Sequence, residues 1–331
     1  MKSRAACIES PGEVYLKEID LKPGPNQVLA KVFQASICGT DKIVYRGDSS
    51  VEVKLPIFPW GHEGGGTVVE VGSKVNGFSV GDKVMSFGVG TYADYVLYNV
   101  PNNTSYSRPN DGCLPVPEGV DMDIACLGEP LSCAVYASQI ASKNIQLGDI
   151  VVVVSAGFAG QIIAQGVKRG GAEKVIVMDV VDEKLDLAKR LGADIVINPK
   201  NGNVVKAIMD ISDGRGVDVV VEASGSGDGL NIASDIVRHN GTIAIYSHYM
   251  KPFMVNMYRW HEDALNIVHT CLMHRTREEA VIGVREAFRL VKKGLFDIRP
   301  LMNRRYQLAE IKEAFDREIS DHTSVKTIIV P

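Results

Sequence analysis

The chain has 331 residues, 45% hydrophobic and 23% charged, with a formal net charge of −4. That length exceeds what one ordinary hydrophobic core serves, so two domains are expected. The near-balanced charge, with no block of five like signs, excludes a nucleic-acid surface and a basic membrane anchor as expectations.

The first stretch, "MKSRAACIES", lacks the apolar run of a signal peptide, and no segment approaches the ~18 apolar residues of a membrane span. A cytoplasmic protein is expected. Six cysteines, Cys7, Cys38, Cys113, Cys126, Cys133 and Cys271, show no disulfide-framework spacing. In a reducing compartment such residues serve mostly as small buried hydrophobes.

Up to about residue 130, short apolar alternations lie between Gly- and Pro-rich turns. Examples are "QVLAKVFQAS", "GTVVEVGS", "GDKVMSF" and "YADYVLY". They read as short antiparallel strands of a barrel-like sheet. From Val151 the texture changes. "IVVVVSAGFAGQIIAQGVKRGG" is an apolar strand, a glycine turn and a helical pattern. "KVIVMD", "DIVINP", "VDVVVEAS", "GTIAIYS" and "LNIVHTC" follow, alternating with helical stretches. Strands apolar throughout and alternating with helices predict a parallel sheet covered on both faces, and six of them fit a doubly wound nucleotide-binding domain. The last part holds two helices around a short extended piece, and "SVKTIIVP" reads as a final strand.

The turn after Val154 has the form Ser155-x-Gly157-x-x-Gly160. Gly157 would let the backbone approach a pyrophosphate, and Gly160 would let helix and strand pack closely. Ser155 stands where the pattern has its first glycine. The second strand ends in Asp179, 22 residues beyond Gly157. A carboxylate there accepts hydrogen bonds from ribose hydroxyls and repels a 2′-phosphate, which favours NAD over NADP. Lys184 can reach the same ribose. The plain alternatives are a tight turn and a strand-end Asp capping a helix.

"PWGHEGGG" places His62 beside Glu63. The pair can be a surface accident, part of a buried polar cluster, or half of a metal site. Cys38 in "SICGTDK" and Glu129 in "CLGEPLSCAV" are further candidate donors, all in turn-like settings. Singly, each has a structural reading: Cys38 as core, His62 as a satisfied polar residue, Glu63 as a surface acid, Glu129 as a helix N-terminal charge. Spacing alone does not converge residues 38, 62 and 129.

Together, "ICGTD", "GHEGGGTVVEVGSKVNGFSVGDKV" and "GEPLSCAV", followed by the strand, glycine loop and helix, resemble the zinc-dependent medium-chain alcohol dehydrogenases over nearly the whole chain. "GEPLSC" resembles the polyol (sorbitol-type) branch. The resemblance implies an α/β protein with a GroES-like β-barrel catalytic domain, residues 1–132 and 277–331, and a Rossmann cofactor domain, residues 133–276. It implies Cys38, His62 and Glu129 as zinc ligands, with Glu63 a ligand directly or by exchange. Asp41 would hold the other nitrogen of His62, and Thr40 would bond the substrate hydroxyl. Ser155, Gly157, Phe158, Ala159, Gly160, Asp179, Lys184, Ala223 and Ser224 would line the dinucleotide, with Glu222 ending the same strand as the last two. Arg305 resembles an arginine near substrate in polyol dehydrogenases; a surface charge is an equal reading.

The expected activity is zinc- and NAD-dependent interconversion of a secondary alcohol, such as a polyol, sugar alcohol or cyclitol, and its ketone. The reaction would lie in a cleft between the two domains. Two departures stand out. The lobe that holds a structural zinc in other family members has only Cys113 here, so one zinc per chain is expected. Ile43 stands where the family often has a relay histidine. His248, His261, His269 and His274 match no zinc spacing. A homodimer or homotetramer, joined at the edge of the cofactor sheet, is expected. The alternatives are a zinc-free quinone or enone reductase, which lacks the Cys/His/Glu set, and a non-catalytic nucleotide-binding protein.

Overall fold

A computed structural model describes residues 1–48, 53–88, 90–100, 112–272 and 276–331. The chain forms two compact units: residues 1–132, 273–293 and 302–331 make one, residues 133–272 and 294–301 the other.

The first unit is built around the strand Gln27–Ser36, buried along most of its length with Lys31 and Phe33 exposed. It pairs antiparallel with Glu63–Val71 and Tyr95–Asn99. Lys83–Ser86 and Cys113–Pro115 extend the sheet on one side. On the other side lies Thr327–Val330, followed by Arg304–Gln307 at the edge. The glycine run after His62 has a packing cause. A Cβ on Gly66 would lie 2.0 Å from the carbonyl oxygen of Lys31, so only glycine lets these two strands approach. One core cluster joins Ala6, Ile8, Ile37, Tyr45, Trp60, Tyr92, Phe315 and Ile329. There Trp60 stacks on Phe315 at 4.5 Å, and Tyr92 meets Trp60 edge-on at 5.6 Å.

The second unit is a six-stranded parallel sheet. Its order is Ile195–Ile197, Lys174–Met178, Ile150–Val154, Val217–Glu222, Val237–Ile245 and Asn266–His269. Numbered in chain order, this is the 3-2-1-4-5-6 arrangement of the doubly wound fold. The inner strands are mostly apolar because helices cover both faces; Asp218 and Glu222 are the buried charged exceptions on Val217–Glu222. Val152, Ile176, Val220 and Ile243 are fully buried in one cluster, each side chain contributing roughly 1.5–3 kcal/mol of burial.

The unit boundary departs from the expected one at residues 294–301, which pack with the cofactor-type sheet. Gln165 holds this segment at both ends of its amide: Oε1 accepts from Asp297 N at 2.7 Å, and Nε2 donates to Asp297 O at 3.1 Å. Among the described residues, no helix is long and apolar enough to cross a membrane.

Candidate functional site

Strand register brings the first donors together. Ser36 pairs with Glu63 across the sheet, so the chain leaving one strand through Ile37 and Cys38 runs beside the chain entering the other through Gly61 and His62. Cys38 then caps the helix Gly39–Arg46, and its backbone N–H donates to Asp41 Oδ2 at 3.1 Å. The result is a compact set. The Cys38 sulfur, a His62 ring nitrogen and a Glu63 carboxylate oxygen all lie within 4.8 Å of one another.

His62 is steered from behind. Its Nδ1 faces Asp41 Oδ1 at 3.5 Å. Asp41 is buried and accepts a hydrogen bond from the Tyr92 hydroxyl at 2.6 Å. Burial alone would raise the Asp41 pKa; His62, the Tyr92 hydroxyl and the Cys38 amide outweigh it and hold it low. Burial would likewise lower the His62 pKa, but Asp41 and Cys38 raise it well above the usual imidazole value. Burial and the neighbouring Asp41 push the Tyr92 phenol up. The pocket therefore favours positive charge at His62, whether carried by a proton or a metal.

Glu63 is fully buried. Its Oε2 pairs with Lys326 Nζ at 2.5 Å and accepts from the Ser36 hydroxyl. Its Oε1 has no hydrogen-bond partner. A buried carboxylate oxygen left bare is costly unless a cation takes it. Thiolate, imidazole and carboxylate together suit zinc, so the residues present fit the metal that the resemblance implies. Among the described residues, no other group of three such donors converges.

Glu129 is not a member of that set. It sits in the first turn of the helix Gly128–Ser142, and its charge reaches Lys326. Thr40 is half-buried in the helix that follows Cys38. Arg305 is not brought to the cluster: it is exposed on the edge strand Arg304–Gln307. The neighbouring Arg304 turns instead to Asp321 at 2.7 Å and Glu318 at 3.6 Å. Cys113 is buried on its strand, and part of the expected structural-zinc lobe, residues 101–111, lies outside the described residues. So does His274, while His248, His261 and His269 are exposed and join no donor group.

Sequence reasoning missed Lys326, Ser36 and Tyr92. Lys326 is buried, and burial alone would lower its pKa. The charges of Glu63 and Cys38 and the hydrogen bond to Glu63 outweigh this and raise it, so the ammonium persists. The only signal in the sequence was a lysine inside the apolar "SVKTIIVP".

The second unit carries the glycine loop where the sequence put it. Ser155 follows the strand Ile150–Val154 with φ +97°, a left-handed conformation that glycine adopts more readily. Its hydroxyl accepts from Gly157 N at 3.2 Å. Phe158 and Ala159 open the helix Phe158–Arg169. A Cβ on Gly160 would lie 1.9 Å from the Ser155 carbonyl oxygen, so helix and loop meet only through glycine. Asp179 ties the loop down: Oδ2 accepts from Ala156 N at 2.7 Å and Oδ1 from Val181 N at 3.0 Å. Lys184 lies in the following helix, where its carbonyl accepts from Gln161 Nε2 at 2.9 Å. Ala223 and Ser224 leave the fourth strand beside buried Glu222. Glu222 accepts from Ser224 N at 2.7 Å and from the Tyr249 hydroxyl. Burial and Glu222 push the Tyr249 pKa up.

Residues 24–109 match the family described as alcohol dehydrogenase GroES-like domain, and residues 159–286 match that described as zinc-binding dehydrogenase. The chain is 35% identical over 267 residues to an L-threonine 3-dehydrogenase of Pyrococcus abyssi, covering 71% of this chain and 72% of that protein. It is 28% identical over 330 residues to a sorbitol dehydrogenase of Halalkalibacterium halodurans, covering 93% of each. The fold superposes on 2R,3R-butanediol dehydrogenase from Bacillus subtilis with a TM-score of 0.81, 23% identity and 99% of each chain covered. The protein belongs to the zinc-type medium-chain alcohol dehydrogenase family.

Proposed function

We propose that the protein is a zinc- and NAD-dependent oxidoreductase that interconverts a secondary alcohol of the polyol class and its ketone. The observation that carries this is the Cys38, His62 and Glu63 set within 4.8 Å, with Glu63 Oε1 buried and bare. Cys38, His62 and Glu63 would hold a zinc ion with three protein donors, which would leave room for substrate to bind it. Zinc held there supplies the Lewis acidity that eases loss of the alcohol proton, and a nicotinamide supplies the hydride acceptor.

The chain's own residues do the rest. Asp41 orients His62 through Nδ1 and leaves its other nitrogen for the metal. Glu63 is fixed through Oε2 and offers Oε1. Thr40, two residues past Cys38, would hydrogen-bond the substrate hydroxyl and take part in moving its proton, with Ile43 offering no second relay group. Glu129 adds negative charge nearby. Gly157 and the helix N-terminus behind it bind the pyrophosphate. Asp179 accepts from ribose with the lone pairs its two amide contacts leave, and it disfavours a 2′-phosphate. Threonine and sorbitol dehydrogenases among the relatives support a polar secondary alcohol as substrate. Self-association is expected at the outermost strand, Asn266–His269, and Met254 and Tyr258, shortly before it in the chain, are exposed.

A panel of polyols, cyclitols and simple secondary alcohols, followed by NADH appearance with NADP as control, tests the reading. Turnover of at least one polyol with NAD is expected. Reduction of quinones or enones in metal-free protein, with no alcohol oxidised, would contradict it.

A further inference from the structure

Lys326 is placed by register. Ile328 pairs with Ser36, and Ile37 N donates to Thr327 O at 3.0 Å. The chain just ahead of the last strand therefore runs beside Ile37 and Cys38. The Lys326 ammonium lies 3.2 Å from the Ile37 carbonyl oxygen and 2.5 Å from Glu63 Oε2. The two side chains are only 6% and 1% exposed, so neither can turn to water. Ser36 donates to the same Glu63 oxygen, which leaves Oε1 as the free one.

We propose that Lys326 is a positioning residue of the metal centre: it holds one oxygen of Glu63, leaves the other to the cation, and stands in for the ion's charge when the metal is absent. This rests on the zinc reading above.

The geometry agrees: with a cation on Oε1, the buried Glu63 carboxylate would have a positive charge at each oxygen, the ion at one and Lys326 at the other. Lys326 and the metal thus share one carboxylate, each compensating part of its charge. Removing the ammonium leaves Glu63 buried with no compensating charge in the metal-free protein, which is costly. Zinc then relieves more strain than in the wild type and binds more tightly. The same deletion leaves Glu63 free to donate more charge to the metal, which makes the zinc a weaker Lewis acid.

Lys326→Met and Lys326→Arg are compared with wild type by chelator competition for zinc, by thermal unfolding with and without zinc, and by steady-state kinetics. Lys326→Met is expected to bind zinc about tenfold or more tightly. It should show a larger zinc-induced rise in Tm and a lower kcat with KM little changed. Lys326→Arg, which keeps the charge, is expected to return zinc affinity to within about threefold of wild type. A residue that merely braces the last strand gives the opposite pattern: both metal states lose stability alike, and zinc binds no tighter or more weakly. That result overturns the proposal. If Lys326→Met does not fold, Lys326→Gln carries the same test with the same expected sign. Wild-type protein that takes up no zinc contradicts the function reading itself. Zinc uptake with unaltered affinity in Lys326→Met contradicts only the role of Lys326.

Discussion

His62 Nδ1 lies 3.5 Å from Asp41 Oδ1, and Asp41 is itself held by the Tyr92 hydroxyl at 2.6 Å. The chain Tyr92–Asp41–His62 fixes the ring orientation before any metal arrives. Asp41→Asn removes the charge and keeps the size. It is expected to weaken zinc about 10- to 100-fold, the usual cost of losing a carboxylate behind a ligating histidine. Chelator competition reads this directly; unchanged affinity would show that Asp41 serves only the helix cap.

Asp179 anchors Ala156 N and Val181 N, and on the function proposed above it also accepts from the ribose. Asp179→Ala is expected to weaken NAD by roughly tenfold or more, the loss of hydrogen bonds to a charged group. It should also narrow the preference for NAD over NADP. Fluorescence titration with NADH and NADPH measures both. If the ratio of the two affinities does not move, Asp179 acts on the loop alone.

Gly160→Ala places a methyl group against backbone rather than a yielding side chain. The loop must shift, at a cost of about 1–3 kcal/mol from overpacking. A fall in Tm together with weaker NADH binding is expected. A variant with wild-type Tm and affinity would mean that the loop and helix are not held as close as described.

The acid side of the stability curve should feel Asp218. Its carboxylate is almost fully buried and accepts from Arg215, Arg238 and Ile150 N. Burial pushes its pKa up, but the Arg215 guanidinium, the Ile150 amide and Arg238 outweigh it, and the net shift is downward. A folded value below the unfolded one of about 3.9 means that the stabilisation is complete above that pH. It is lost as pH falls from there through the folded value. Asp218→Asn is therefore expected to lower Tm at pH 7 and to flatten the loss of stability below about pH 4. Thermal unfolding at a series of pH values checks this, and parallel curves for the two proteins would contradict it.

Much of the cofactor-type unit was legible because its strands are mostly apolar and its turn chemistry is local. "VVVVSAGFAG" and "KVIVMD" each announce their element within a few residues. The metal side was legible only through the resemblance. Cys38, His62 and Glu63 meet because Ser36 pairs with Glu63 across a sheet, and pairing register is not written in either segment alone. Lys326 comes from the far end of the chain and Tyr92 from a separate loop, so no local pattern marks them. Residues 294–301 leave the unit that flanks them because Gln165 captures Asp297, a contact between two ordinary-looking polar positions. The sequence offers both Glu63 and Glu129 as donors; Glu63 lies in the compact set with Cys38 and His62, and Glu129 lies outside that set, where its charge reaches Lys326.

Metal content tests the central claim most directly. Protein prepared without chelator should carry about one zinc per chain, as one catalytic-type site requires. Cys38→Ser should lose that zinc and all turnover while still binding NADH. Zinc-free wild-type protein that oxidises alcohols, or a Cys38→Ser variant that keeps its activity, would contradict the account.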